Sequence, residues 1–163
     1  MGSGKTSIGK KLSRWLDYDF VDTDARVERK ENKKISEIFE QEGEIVFREK
    51  EHLCFLEVLN LKNTVVSTGG GLPCHSDHIQ LMNAKGLSIY LKADSKFLAS
   101  RLTNAKANRP LIASVSDDLL PEFLEELLKK REVCYEQSHI KISSKNLKVK
   151  DIVEAMKLQG FSF

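Results

Sequence analysis

The five residues Gly2-Ser3-Gly4-Lys5-Thr6 have the types and order needed to hold phosphate. Glycines let successive backbone N–H groups approach an anion, and the Lys5 ammonium can reach outer phosphates. The Thr6 hydroxyl suits Mg²⁺, a hard cation that takes oxygen ligands. Ser7 then opens an amphipathic helical stretch, whose positive N-terminal end favours bound anions. The complete pattern, G-x-x-x-x-G-K-[ST], follows a buried strand, and its leading Gly would stand two residues before Met1. An ordinary turn of small residues is the competing reading, but the helix directly downstream favours a phosphate loop. On that reading the natural chain is expected to begin about 7–12 residues earlier, with an apolar strand ending in Gly. The chain without that strand is expected to be marginally stable and to bind ATP poorly.

Further along, "YDFVDTD" closes a short β-prone run with two carboxylates, Asp22 and Asp24. The structural reading is a turn with Asp24 as a helix cap. In a sheet that takes ligand at the carboxyl ends of its strands, both would enter the cleft. One could approach a metal shell and the other accept a proton from an attacking hydroxyl. "TVVSTGGG" ends a buried strand in Gly69, Gly70 and Gly71. One Gly would suffice to end a strand; three in a row imply a ligand close to the backbone. Arg48, Arg109 and Arg131 complete the set. Arg109 lies beside Pro110 in a polar stretch and could neutralise charge on a transferring phosphoryl group. Arg48 and Arg131 fall on predicted helices, where their guanidinium forks could grip a carboxylate.

The elements that must position these groups alternate. Helical periodicity runs over Ser7–Leu16, with Ile8, Leu12, Trp15 and Leu16 as its apolar stripe. It continues in pieces from Ala25 to Leu59, with Asn32 and Gly43 as breaks. Ile35, Ile38 and Phe39 mark one face there, and Val46, Leu53, Leu56 and Leu59 another. Shorter helices are expected over His78–Lys85 and over Ser95–Leu102 with Ser95 as cap, then a long one over Pro121–Tyr135 and a last over Val149–Leu158. "DFVD", "TVVS", "LSIYL" and "IKI" read as strands pointing the same way. Strands alternating with helices imply α/β architecture, a parallel sheet with helices on both faces. Thr103–Asp118 is polar with poor periodicity, and a loop of that length in a compact domain is usually functional.

Bulk properties narrow the class. The 163 residues make one domain with no internal repeat, and a net charge of +2 gives no reason to invoke nucleic acid or a membrane surface. No apolar run approaches the length of a membrane span, and no signal segment opens the chain. Cys54, Cys74 and Cys134 are widely spaced without metal-ligand pairing and read as reduced thiols of a cytoplasmic protein.

The pieces "GSGKT", "FVDTD", "FREKE", "STGGG", "NRPL" and "KREVCY" occur in the order and approximate spacing of one family, over essentially the whole length. The chain resembles shikimate kinase. The resemblance implies a three-layer α/β/α P-loop kinase, a single domain over 1–163 with a lid at about 103–118. It also implies ATP-dependent phosphorylation of the shikimate 3-hydroxyl in aromatic amino-acid biosynthesis, by a monomer using Mg²⁺. By resemblance, Gly2 to Ser7 form the phosphate loop, with Lys5 catalytic, Thr6 and Asp22 near the metal, and Asp24 the base that also holds substrate hydroxyls. Arg48 and Arg131 match the arginines on the shikimate carboxylate, with Gly69, Gly70 and Gly71 lining the same pocket. Arg109 matches the lid arginine. Arg101 resembles the adenine-stacking arginine but stands one residue further from Arg109 than is usual in the family. Two other readings stay open: another P-loop kinase for a small hydroxylated substrate such as gluconate, and a nucleotide-binding fragment without phosphotransfer.

Overall fold

A computed structural model describes residues 1–103 and 110–162. Seven helices and four strands alternate among them: α1 (Lys5–Leu16), β1 (Asp19–Asp22), α2 (Thr23–Glu31), α3 (Ile35–Val58), β2 (Thr64–Ser67), α4 (His78–Lys85), β3 (Ile89–Lys92), α5 (Ser95–Leu102), α6 (Leu120–Tyr135), β4 (Ile140–Ser143) and α7 (Val149–Leu158). All four predicted strands form. β1 pairs with β2 in parallel, Asp19 opposite Thr64 and Asp22 opposite Ser67. β3 pairs with β4 in parallel, Ile89 opposite Ile140. The architecture is α/β, as expected for a P-loop kinase.

Local chemistry explains most boundaries. α1 begins two residues earlier than its periodicity predicts, because Gly4 caps it in the left-handed region (φ 91°). Its stripe also differs: Leu12 and Ser13 are buried while Trp15 is about half exposed. Asn32 ends α2 with a positive φ, and Gly43 kinks α3. That kink re-phases the second half of α3. Phe47, Glu51, Cys54, Phe55 and Val58 turn inward, and Leu53 and Leu56 outward, against the predicted face. α5 is capped by Asp94, which accepts from the Phe97 amide at 2.7 Å, not by Ser95.

Four apolar clusters fill the interior, the largest side chains among them Phe55, Ile38 and Leu72. Leu98, Leu102, Leu120 and Leu124 pack around Ile112, which is fully buried. The C-terminal half of the polar 103–118 stretch is thus pinned to the core by a 3₁₀ turn at Pro110–Ile112. Salt bridges from Arg26 and Lys30 to Glu57 and from Lys50 to Glu31 tie α2 to α3, and Lys50 also bridges to Glu42 across the Gly43 kink within α3. All are partly exposed, so each contributes little.

Among the described residues the two strand pairs do not join into one sheet. Between them runs a groove of about 470 Å³, lined by Ile8, Val65, Val66, Ile89, Leu91 and Leu124 with Met1 at its rim. Parallel strands are ordinarily buried on both faces, yet Val65 and Val66 are only half-buried. Strand edges left unpaired there have backbone groups still in need of partners. An apolar strand joined ahead of Met1 is expected to enter this groove and pair with both edges. Burying five or so of its side chains, at roughly 1.5–3 kcal/mol each, would contribute on the order of 10 kcal/mol. That rivals the about 5–15 kcal/mol of a whole domain. A chain so extended should melt at least about 10 °C higher than the 163-residue chain. Equal melting temperatures in calorimetry would show that the groove needs no strand.

Candidate active site

The phosphate loop is built by two glycines that only glycine's conformational freedom permits. Gly2 and Gly4 have φ of 76° and 91°, a region that costs other residues. Gly2 also sits on α5, where a Cβ would come within 3.1 Å of Leu102. No side chain caps the first turn of α1, so its amides and its positive end face the loop, as anion binding needs. Lys5 is the first residue of that turn and lines the groove together with Ser3, Gly69, Gly70 and Arg131. Arg101 lies beside the same loop, its Nη1 3.5 Å from where a Gly4 Cβ would be and its guanidinium 5.3 Å from the Phe97 ring.

Asp22 and Asp24 do not lie on one extended segment. Asp22 is the last residue of β1 and Asp24 stands in the first turn of α2. The helix cap is Asp22, whose Oδ1 accepts from the Ala25 amide at 3.3 Å. Its other oxygen, Oδ2, accepts from the Thr6 hydroxyl at 2.7 Å. Capping therefore fixes the carboxylate while it faces the phosphate loop. A hydroxyl and a carboxylate held together are hard oxygen donors, and they fit Mg²⁺ shared with nucleotide phosphates.

Around Gly69-Gly70-Gly71 the charged groups converge. A Cβ on Gly69 would lie 2.5 Å from Asp24 Oδ1 and 2.7 Å from Glu51 Oε1. On Gly71 it would lie 2.6 Å from Arg48 Nη1, and on Gly70 3.3 Å from both Arg131 Nη1 and the Met1 amine. Two carboxylates and two guanidiniums from α2, α3 and α6 therefore press on one turn of backbone. Arg48 is held by Glu51 at 2.6 Å and by Glu44 at 3.0 Å. Glu51 is buried, and burial pushes its carboxyl up; the Arg48 charge beside it offsets part of this. Burial is also the largest single influence on Arg48 and would lower it, but Glu51 and Glu44 together outweigh it and hold the guanidinium above its ordinary value. Arg109 lies outside the described residues.

Sequence reasoning missed the supports of this turn. Thr23, fully buried, accepts from the Gly69 amide at 2.9 Å. Glu51 follows Arg48 by one helical turn within "FREKE", a spacing that could have revealed the pair. Below the turn, His78 is fully buried. Its Nδ1 donates to the Leu72 carbonyl at 2.8 Å, which leaves Nε2 to accept from His52 Nδ1 at 2.7 Å. Phe55 packs on the same ring at 4.3 Å between centroids.

The Shikimate kinase family model matches residues 1–159. The chain belongs to the shikimate kinase family. It is 42% identical over 155 residues to the shikimate kinase of Azobacteroides pseudotrichonymphae genomovar. CFP2, an alignment covering 94% of this chain and 91% of that relative. The shikimate kinase of Bacteroides fragilis is 41% identical over 139 residues, 85% of this chain and 78% of the relative. Among solved structures, shikimate kinase from Acinetobacter baumannii in complex with shikimate superposes with a TM-score of 0.90 at 30% identity, covering 99% of this chain and 91% of that one. The Bacteroides thetaiotaomicron shikimate kinase gives 0.89 at 34% identity, covering 99% and 94%. A shikimate kinase-family chain is a phosphotransferase, and residues of the phosphate loop and of the glycine turn line one groove. No described helix is long and apolar enough to cross a membrane.

The buried His78 gives this site an acid limit. Desolvation, reinforced by the nearby histidines, lowers His78 below its ordinary value of 6.5. The unfolded chain therefore binds more protons just below that value, and stability is lost as pH falls through it. Unfolding free energy measured from pH 7.5 to 5.5 should decline below about 6.5. His78→Gln should flatten that decline; an unchanged slope would remove His78 as its cause.

Proposed function

We propose that the chain transfers the terminal phosphoryl group of ATP to the 3-hydroxyl of shikimate, giving 3-phosphoshikimate and ADP for aromatic amino-acid biosynthesis in the cytoplasm. The observation that carries this reading is the glycine turn, where an acid–base carboxylate and two guanidiniums meet beside the phosphate loop. A substrate bearing both a carboxylate and hydroxyls needs that combination.

On this reading Gly2, Ser3, Gly4, Lys5, Thr6 and Ser7 cradle the nucleotide phosphates through backbone amides, the helix end and the Lys5 ammonium. Thr6 and Asp22 hold Mg²⁺, and the chemistry supplied by the bound ion is neutralisation of charge across phosphate oxygens. Arg48 and Arg131 hold the shikimate carboxylate and Gly69, Gly70 and Gly71 let the ring lie against the backbone. Asp24 accepts the hydroxyl proton while the hydroxyl oxygen forms a bond to the γ-phosphorus and the bond to the ADP oxygen breaks. Residues 103–118 act as a lid that brings Arg109 to the phosphates. The enzyme works as a monomer.

Two substitutions separate the halves of the site. Asp24→Asn should lower kcat by at least about a hundredfold while leaving ATP affinity nearly intact. Arg131→Ala should weaken shikimate binding by roughly 2–5 kcal/mol with a small effect on ATP. Near-normal shikimate turnover in a coupled ADP-release assay, for either variant, would overturn the roles assigned here.

The lid has its own test. Amides in 103–118 should gain protection from hydrogen exchange on nucleotide binding, most of all ahead of the Ile112 anchor. Equal protection with and without nucleotide would make the segment a fixed surface loop.

A further inference from the structure

Arg48 and Arg131 are fixed in different ways. Two carboxylates, Glu44 and Glu51, hold the Arg48 guanidinium. Among the described residues no carboxylate stands in ion-pair range of Arg131. Its neighbour is Tyr135, one turn further along α6, a spacing that puts both side chains on one face.

The Arg131 guanidinium and the Tyr135 hydroxyl meet over Gly70: Nη1 of Arg131 lies 3.3 Å, and the hydroxyl oxygen 3.8 Å, from where a Cβ on that glycine would be. The hydroxyl donates to the Gly70 carbonyl at 2.5 Å. A hydroxyl has one proton and two lone pairs, while a guanidinium can only donate. The Tyr135 proton is therefore committed to Gly70, and the lone pairs of its oxygen are left for the N–H groups of Arg131. The Tyr135 ring packs on Tyr90 with centroids 4.9 Å apart and planes tilted by 42°. Burial pushes the phenol up to about 12, so it keeps its proton across the physiological range.

We propose that Tyr135 is a positioning residue for the acceptor: it sets the Arg131 guanidinium against Gly70 so that its remaining N–H groups face the substrate carboxylate. This rests on the reading of Arg131 as a carboxylate clamp. A neutral phenol suits the task better than an acid. An arginine side chain loses rotamer freedom when fixed, and a carboxylate that fixed it would also compete for its charge. Tyr135 restrains Arg131 without adding a negative charge that would compete with the ligand. The same hydroxyl locks the middle residue of the glycine turn, so clamp and turn are held in one register.

The test uses the whole chain, extended upstream if needed for stability, with steady-state kinetics in both substrates. Tyr135→Phe removes the hydroxyl and keeps the ring on Tyr90. KM for shikimate should rise about tenfold, with kcat changed less than about threefold, KM for ATP unchanged and the melting temperature nearly so. On an Arg131→Ala background, Tyr135→Phe should add less than about a twofold rise. An unchanged KM for shikimate in the single variant overturns the proposal, as does an equal rise on both backgrounds, since the hydroxyl would then act independently of Arg131. Should Tyr135→Phe raise KM for ATP as much as for shikimate, the effect is general loosening and the proposal falls. If Arg131→Ala itself leaves KM for shikimate unchanged, the clamp reading fails and takes this one with it. If Arg131→Ala raises KM and Tyr135→Phe does not, only the role of Tyr135 is lost.

Discussion

The site depends on the absence of three Cβ atoms. At Gly69 and Gly71 a methyl group would sit within 2.5–2.6 Å of a charged oxygen or nitrogen, closer than any real contact allows. Only a bare backbone lets Asp24, Glu51, Arg48 and Arg131 approach one turn from three helices. Their mutual attraction alone would not place them well, because buried charges pay a desolvation penalty that pairing only partly returns. The turn is instead fixed by uncharged groups: the Thr23 hydroxyl at Gly69, the Tyr135 hydroxyl at Gly70 and His78 at Leu72. Neutral anchors hold the backbone around which the charged side chains are arranged.

Much of this was legible. The four strands, the two breaks at Asn32 and Gly43, and the phosphate loop follow from local chemistry that a sequence displays directly: β-branched runs, positive-φ residues, small residues before a helix. What was not legible came from tertiary geometry. Trp15 fits the apolar period of α1 but finds no core to enter, so Ser13 takes the inward position. The Gly43 kink changes the phase of α3, and a face extrapolated across it puts Leu53 and Leu56 inside when they face solvent. Asp24 was assigned the cap that Asp22 makes, because one residue of difference in the start of α2 decides between them. Glu51, Thr23 and Tyr135 support the site through contacts to backbone more than a dozen residues away, a relation that no local pattern records.

The same division governs stability. The phosphate loop is anchored where Gly2 meets Leu98 and Leu102 of α5 and where it runs into α1. Beside it lies the groove between the two strand pairs, lined in part by half-buried apolar side chains. The glycine turn is tied to α2, α4 and α6 by side-chain bonds to its backbone and to α3 through Phe55, which packs with Leu72 in the core.

Such anchoring matters for catalysis because phosphoryl transfer offers a protein little covalent chemistry to perform. The barrier falls through positioning and through charges already in place. On the proposed roles, Arg48 and Arg131 would contact a part of the acceptor that does not react, so any rate they supply would come from orienting the hydroxyl toward Asp24 and the phosphate. Binding energy from a remote group raises turnover only when that group is held rigidly relative to the reacting atoms. On the proposed roles, Arg48 would meet this condition through its carboxylates and Arg131 through its phenol, since both approach the same glycine turn as Asp24. Clamp, base and turn would then share one frame, and an acceptor gripped by its carboxylate would reach the base in a fixed register.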